Sequence, residues 1–134
     1  MKLLKRNLLM AVLLSMSQLL YSQDSQDITG LWRSEDGTRL YEIKIDNDVY
    51  TAVLVQSSRE KDKQGASILD NVQYKKSKDI YEGAIISADD ATAALAKISL
   101  KGDELHFKIK RLFFDYVNIK WLRVRLHEDK TTGL

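Results

Sequence analysis

The chain has no cysteine and no proline, and only two histidines and six glycines among its 134 residues. Each shortage removes a class of explanation. Without cysteine there is no disulfide, no thiolate nucleophile and no sulfur-ligated metal site. Without proline, every residue after the first keeps its backbone N–H, which suits paired strands, where proline is confined to edges and bulges. The histidines, His106 and His127, lack metal-ligand spacing to one another. The glycines are scattered, and none forms a phosphate-binding loop. Long hydrophobic runs are absent too. The longest, Leu8 to Leu14, is far short of the roughly 20 residues of a spanning helix.

That run lies in a recognisable setting. Met1-Lys2-Leu3-Leu4-Lys5-Arg6 is a basic start. Leu8 to Leu14 follows, and then a polar stretch with small residues ends in Tyr21-Ser22-Gln23. This is the order of a cleavable secretory signal. Residues 1–22 are therefore expected to form a signal helix cut after Ser22, so that the protein is exported, to the periplasm or beyond the cell. No cysteine follows the apolar run, which excludes a lipid-anchored lipoprotein. The full chain carries 21 basic and 19 acidic residues, a formal charge of +2. Lys2, Lys5 and Arg6 leave with the signal, so 18 basic residues remain against 19 acidic, about −1. A globally basic nucleic-acid footprint is then lacking. The processed chain is not expected to span a membrane.

From Ile28 onward, short apolar runs alternate with clusters of turn residues, the pattern of an all-β sandwich or barrel. Eight strands are expected: 28–34, 39–45, 49–56, 68–74, 80–87, 91–100, 104–112 and 116–126. The second puts Tyr41, Ile43 and Ile45 on one face and Glu42 and Lys44 on the other. The third is apolar on both faces and is expected to be covered on both. Residues 88–97 are alanine-rich and favour helix by propensity, but the alternation of Ala94, Ala96, Ile98 and Leu100 argues for strand. Short connections imply an antiparallel up-and-down order, and a closed barrel would remove exposed edges. Residues 23–27 read as a polar leader, 28–126 as the barrel domain, and 127–134 as a polar tail.

The two ends of that domain carry the most specific pattern. Gly30-Leu31-Trp32 lies in the first strand and Trp121-Leu122-Arg123 in the last. A Gly-x-Trp in the first strand with a basic residue in the last resembles the lipocalin and wider calycin barrels. The resemblance implies that Gly30, Trp32, Trp121 and Arg123 close the barrel, with Arg123, or Arg125, stacked on Trp32 in a cation–π contact. Gly65-Ala66-Ser67-Ile68-Leu69, Tyr81-Glu82-Gly83-Ala84-Ile85, Ala96-Lys97-Ile98-Ser99-Leu100 and Asp103-Glu104-Leu105 add to it. With these, residues 28–125 resemble an uncharacterised family of exported bacterial lipocalin-like barrels, which brings no activity with it. Two places depart from that family's pattern. Ser87-Ala88-Asp89-Asp90 stands where the family has Asp-Pro and a glycine-bearing turn, and Arg111-Leu112-Phe113-Phe114 where it has glycines.

Catalysis needs a nucleophile beside a positioned base, and no such constellation emerges. His106 sits among Lys108 and Lys110 on a polar face, and His127 lies in the tail. Asp46-Asn47-Asp48 lacks the glycine and distal glutamate of a calcium loop. Glu42 and Glu82 are isolated. No cofactor and no enzymatic activity are expected. Lys108, Lys110 and Lys120 read as a solvated outer face. Arg111 continues the face of Leu105, Phe107 and Ile109, which places a cation near one end of the interior. Phe113-Phe114-Asp115-Tyr116 puts aromatics in the last hairpin. The expected function is non-catalytic binding of a small apolar or amphiphilic ligand, with Arg111, Phe107, Phe113 and Tyr116 as candidate contacts. The alternative is an envelope protein-interaction module that works through its outer surface and loops.

Overall fold

The computed structural model describes residues 27–111 and 115–125. Its strands are β1 Gly30–Ser34, β2 Arg39–Asp46, β3 Val49–Ser57, β4 Ser67–Lys75, β5 Ile80–Ile86, β6 Ala93–Lys101, β7 Glu104–Lys110 and β8 Tyr116–Arg123. Each pairs antiparallel with its sequence neighbour, and β8 returns to β1 to close a barrel. Local chemistry sets the turns. Asn47 and Asp48 both adopt positive φ, at 49° and 62°, between the paired Asp46 and Val49. A two-residue hairpin demands that backbone, and Asn and Asp tolerate it.

Strand alternation then sorts side chains. On β7, Leu105 and Phe107 are buried while Lys108 and Lys110 are exposed. On β8, Trp121 is buried and its neighbours Lys120 and Leu122 are not. The core is continuous, from Ile28 and Trp32 through Tyr41, Leu54 and Leu69 to Phe107 and Trp121.

The bottom of the barrel is closed by the chain itself. Arg123 lies opposite Trp32 across the β1–β8 seam, with its guanidinium carbon 4.4 Å from the indole ring centroid. Its Nη2 donates to the Asp27 carbonyl at 2.9 Å, and Nη1 reaches the Thr29 carbonyl at 3.4 Å. The Trp32 indole N–H donates to the Ile28 carbonyl at 2.8 Å. The Asp27 carboxylate is close enough to raise the phenol pKa values of Tyr50 and Tyr81, after the larger effect of burial. Residues 27–29 are held to the β1–β8 seam by Arg123 and Trp32.

Several expectations are corrected. β1 begins at Gly30 rather than Ile28, because Gly30 turns the chain at φ 119° and frees residues 27–29 to pass beneath. β6 begins at Ala93, since Ala91 sits in a turn at φ 59°. The helix that alanine propensity favours there does not form: Ala93 to Lys97 pair with β5 instead. β7 stops at Lys110, where the Arg111 N–H turns to the Asp115 carbonyl, and β8 stops at Arg123. β3 is not covered on both faces. Ala52 and Leu54 are buried, but Thr51 and Val53 are exposed, because a single closed sheet has no outer layer among the described residues. The expected signal helix, the tail and Phe113 lie outside the described residues.

Candidate functional site: a cavity in the upper barrel

The floor closes one end; the other end opens into a cavity of about 740 Å³. Its base is aromatic. Tyr41 of β2 and Trp121 of β8 stack with ring centroids 3.9 Å apart and planes 14° from parallel. Phe107 of β7 packs 4.4 Å from Trp121. Burial of Tyr41 pushes its phenol pKa up, so the hydroxyl stays neutral at physiological pH. The walls are aliphatic, from Ile68, Ile85, Ile109, Val117 and Ile119. Room comes from a small residue: Ala94 stands opposite Ile85 where a large side chain would fill the gap.

The rim is polar and cationic. Arg39, Ser87, Thr92, Lys110 and Arg111 all line it. Arg39 is fully engaged: its Nε and Nη2 donate to the Asp62 carboxylate at 2.6 and 3.0 Å. The Ser57 hydroxyl donates to the same carboxylate at 2.6 Å. The Arg39 bonds, foremost, hold the Asp62 pKa down to about 2, and they raise that of Arg39. This clamp fixes the β3–β4 loop against the mouth. Arg59 in that loop adds an exposed ion pair to Asp36 at 2.7 Å.

Arg111 is different. It is exposed at the rim, and no carboxylate among the described residues lies within ion-pair distance of it. The nearby turn acids are otherwise held: Asp89 accepts the Ser87 hydroxyl at 2.5 Å, and Asp90 accepts the Thr92 hydroxyl at 2.8 Å.

The four candidate contacts separate. Arg111 lines the cavity. Phe107 supports the aromatic base from the core and is 1% exposed. Tyr116 lies on the outer face, where Lys108 Nζ sits 4.6 Å from its ring centroid. The register explains this: Tyr116 pairs with Lys110, which puts it on the outward side of the pleat. Phe113 lies outside the described residues. Of the closing set, Trp32, Gly30 and Arg123 meet at the bottom, while Trp121 forms the cavity base higher up. Arg125 does not stack on Trp32 but pairs with Asp103 at 2.6 Å.

Sequence reasoning missed Tyr41 and Arg39 as cavity residues, and Asp62 as the partner of Arg39. Tyr41 carried a usable signal, being inward by alternation. The Arg39–Asp62 pair carried none, because 23 residues separate its members. The outer face of β6–β8 carries the expected lysines. Leu95, Lys110 and Tyr116 form one cross-strand row, and Lys97, Lys108 and Asn118 the next.

No protein-family model matches the chain, and no curated protein matches it in sequence. Among solved structures, it is similar to protein HP1028 from the human pathogen Helicobacter pylori, described as belonging to the lipocalin family. The TM-score is 0.62 over 81% of this chain and 90% of that one. The fold is lipocalin-like. At 15% sequence identity the likeness concerns the backbone path alone. In this lipocalin-like barrel the first and last strands meet where Arg123 covers the Trp32 ring. Among its described residues, no group of three or more His, Asp or Glu side chains is placed to hold a metal, and no helix is long and apolar enough to cross a membrane.

Proposed function

We propose that this protein is an exported, non-enzymatic carrier or receptor that holds one small apolar or amphiphilic ligand in the upper half of its barrel. One observation carries the reading: a 740 Å³ space with an aromatic base, aliphatic walls and a polar rim. Small-molecule sites have this make-up, mostly apolar with a few placed polar groups, and volumes of roughly 300–1,000 Å³. Export rests on the signal pattern at residues 1–22, and recovery of a chain beginning at or near Gln23 from outside the cytoplasm tests it.

The binding reading is tested by native mass spectrometry on protein purified without detergent, followed by titration with apolar probes. Retained mass that is lost on denaturation is expected, or saturable probe binding that Ala94→Phe abolishes by filling the cavity. A clean mass combined with no probe binding overturns the reading.

A second reading, a protein-interaction module, has one observation in its favour. Leu95 and Tyr116 are 67% and 45% exposed and flank Lys110 on the outer face. Replacing both with serine then weakens partner capture while leaving probe binding intact. The cavity makes the first reading the stronger one.

A further inference from the structure

We infer that the ligand is an anionic amphiphile, a single apolar chain ending in a carboxylate or phosphate, with its head held at the rim by Arg111. This deepens the binding reading and rests on it.

The cavity has two zones. Its lower part, from Trp121 and Tyr41 to Ile109 and Ile119, offers no charge. Its rim offers cations of unequal availability. Arg39 already has both carboxylate oxygens of Asp62 and gains little from a second anion. Arg111 has no carboxylate in reach among the described residues. It also has the right direction. Leu105, Phe107 and Ile109 point inward on β7, and Arg111 continues that parity, so it stands over the opening with Ile109 below it. The neighbouring Lys110 lines the same edge from the outward side.

The physical argument has three parts. A guanidinium meets a carboxylate or phosphate through paired N–H donors, so it orients the head as well as attracting it. Because the rim is open to solvent, the anion keeps part of its hydration and avoids the penalty of full charge burial. The chain below it buries apolar surface against the walls, which supplies most of the affinity. A cationic head would meet Arg111 and Lys110 as like charges. A neutral head would lose the charge-assisted bonds.

The experiment measures binding of decanoate, decyl phosphate, decanol and decyltrimethylammonium by calorimetry, to the protein and to Arg111→Gln. The expected result is that at least one anion binds on the order of tenfold or more tighter than decanol, with the cation weakest. In Arg111→Gln the anion's advantage falls to within about twofold of decanol measured on the same variant. Whichever of decanoate and decyl phosphate binds tighter identifies the head. Arg111→Lys keeps the charge without the paired donors and is expected to fall between the two, and circular dichroism shows whether each variant is folded. Equal affinity for decanol and both anions, or an anion preference that survives in folded Arg111→Gln, overturns the anionic assignment but leaves the cavity reading standing. Failure of all four probes to bind overturns both.

Discussion

At the bottom of the barrel one guanidinium serves two tasks. Arg123 covers the Trp32 ring and anchors the carbonyls of Asp27 and Thr29, so the seam and the floor depend on the same side chain. Arg123→Met keeps much of the hydrophobic stem but loses the cation–π contact and both bonds. A loss of about 2 kcal/mol in urea unfolding is expected, with residues 27–29 released to amide exchange. At the mouth, Asp62 plays the corresponding role for the β3–β4 loop. Its pKa is lowered from 3.8 to about 2, chiefly by hydrogen bonds from Arg39. A depressed carboxylate adds stability that is fully present above its unfolded pKa and is lost as pH falls through the folded one. The clamp should therefore be intact at pH 5 and above and disappear between about pH 4 and pH 2. Asp62→Asn is expected to cost about 2 kcal/mol at pH 7. Its stability should converge on that of the parent protein as the pH approaches 2. A gap that is the same at pH 7 and pH 2.5 would show that the carboxylate's charge is irrelevant.

One strand deserves its irregularity. In β4 the register shifts between Asp70 and Gln73, and Asn71 adopts φ 52°. The bulge brings Val72 inward, fully buried, against β5. A Cβ on Gly83 would lie 2.6 Å from the Val72 Cα and 2.9 Å from the Asn71 carbonyl oxygen. Both are backbone atoms, which cannot swing aside. Gly83→Ala is therefore expected to destabilise the protein by about 1–3 kcal/mol, read by thermal unfolding. Gly83→Ala with Val72→Ala should recover little of this, because the side-chain clash goes but the backbone clash remains. Bulges of this kind bend a strand and increase its local twist. The glycine was visible in the sequence, but its reason was not: nothing local to Gly83 reveals the bulge at Asn71 and Val72.

For the whole molecule, the described residues form a barrel with a closed floor and an open mouth. Ligand binding to the folded state alone stabilises it by mass action, by about 2.7 kcal/mol at one hundred times the dissociation constant. A saturating probe should thus raise the unfolding temperature of the protein and leave that of Ala94→Phe unmoved. The fluorescence of Trp121, at the base of the cavity, should change with occupancy, whereas Trp32 lies in the floor and should report little. Measurement in Trp32→Phe separates the two.

The number and order of the strands and most inward faces could be read from the chain, because alternation and turn chemistry act over a few residues, while several strand ends and the exposed outer face of β3 could not. Leu105, Phe107 and Ile109 face inward as their spacing required, and Asn47 and Asp48 make the turn that their residue types favour. The closing pair Trp32 and Arg123 was accessible through resemblance, since both lie in short motifs. Two matters were decided only in three dimensions. Whether the interior is filled depends on which small residue meets which large one, as Ala94 meets Ile85, and that follows from register between strands. Which arginine is available depends on Asp62, brought to Arg39 by the path of a loop. The outward side of Tyr116 was legible too, since it alternates with the inward Val117, Ile119 and Trp121. A sequence sets which way side chains alternate within a strand; only the folded barrel decides which strands' residues face one another across the interior, because those contacts join positions far apart in the chain.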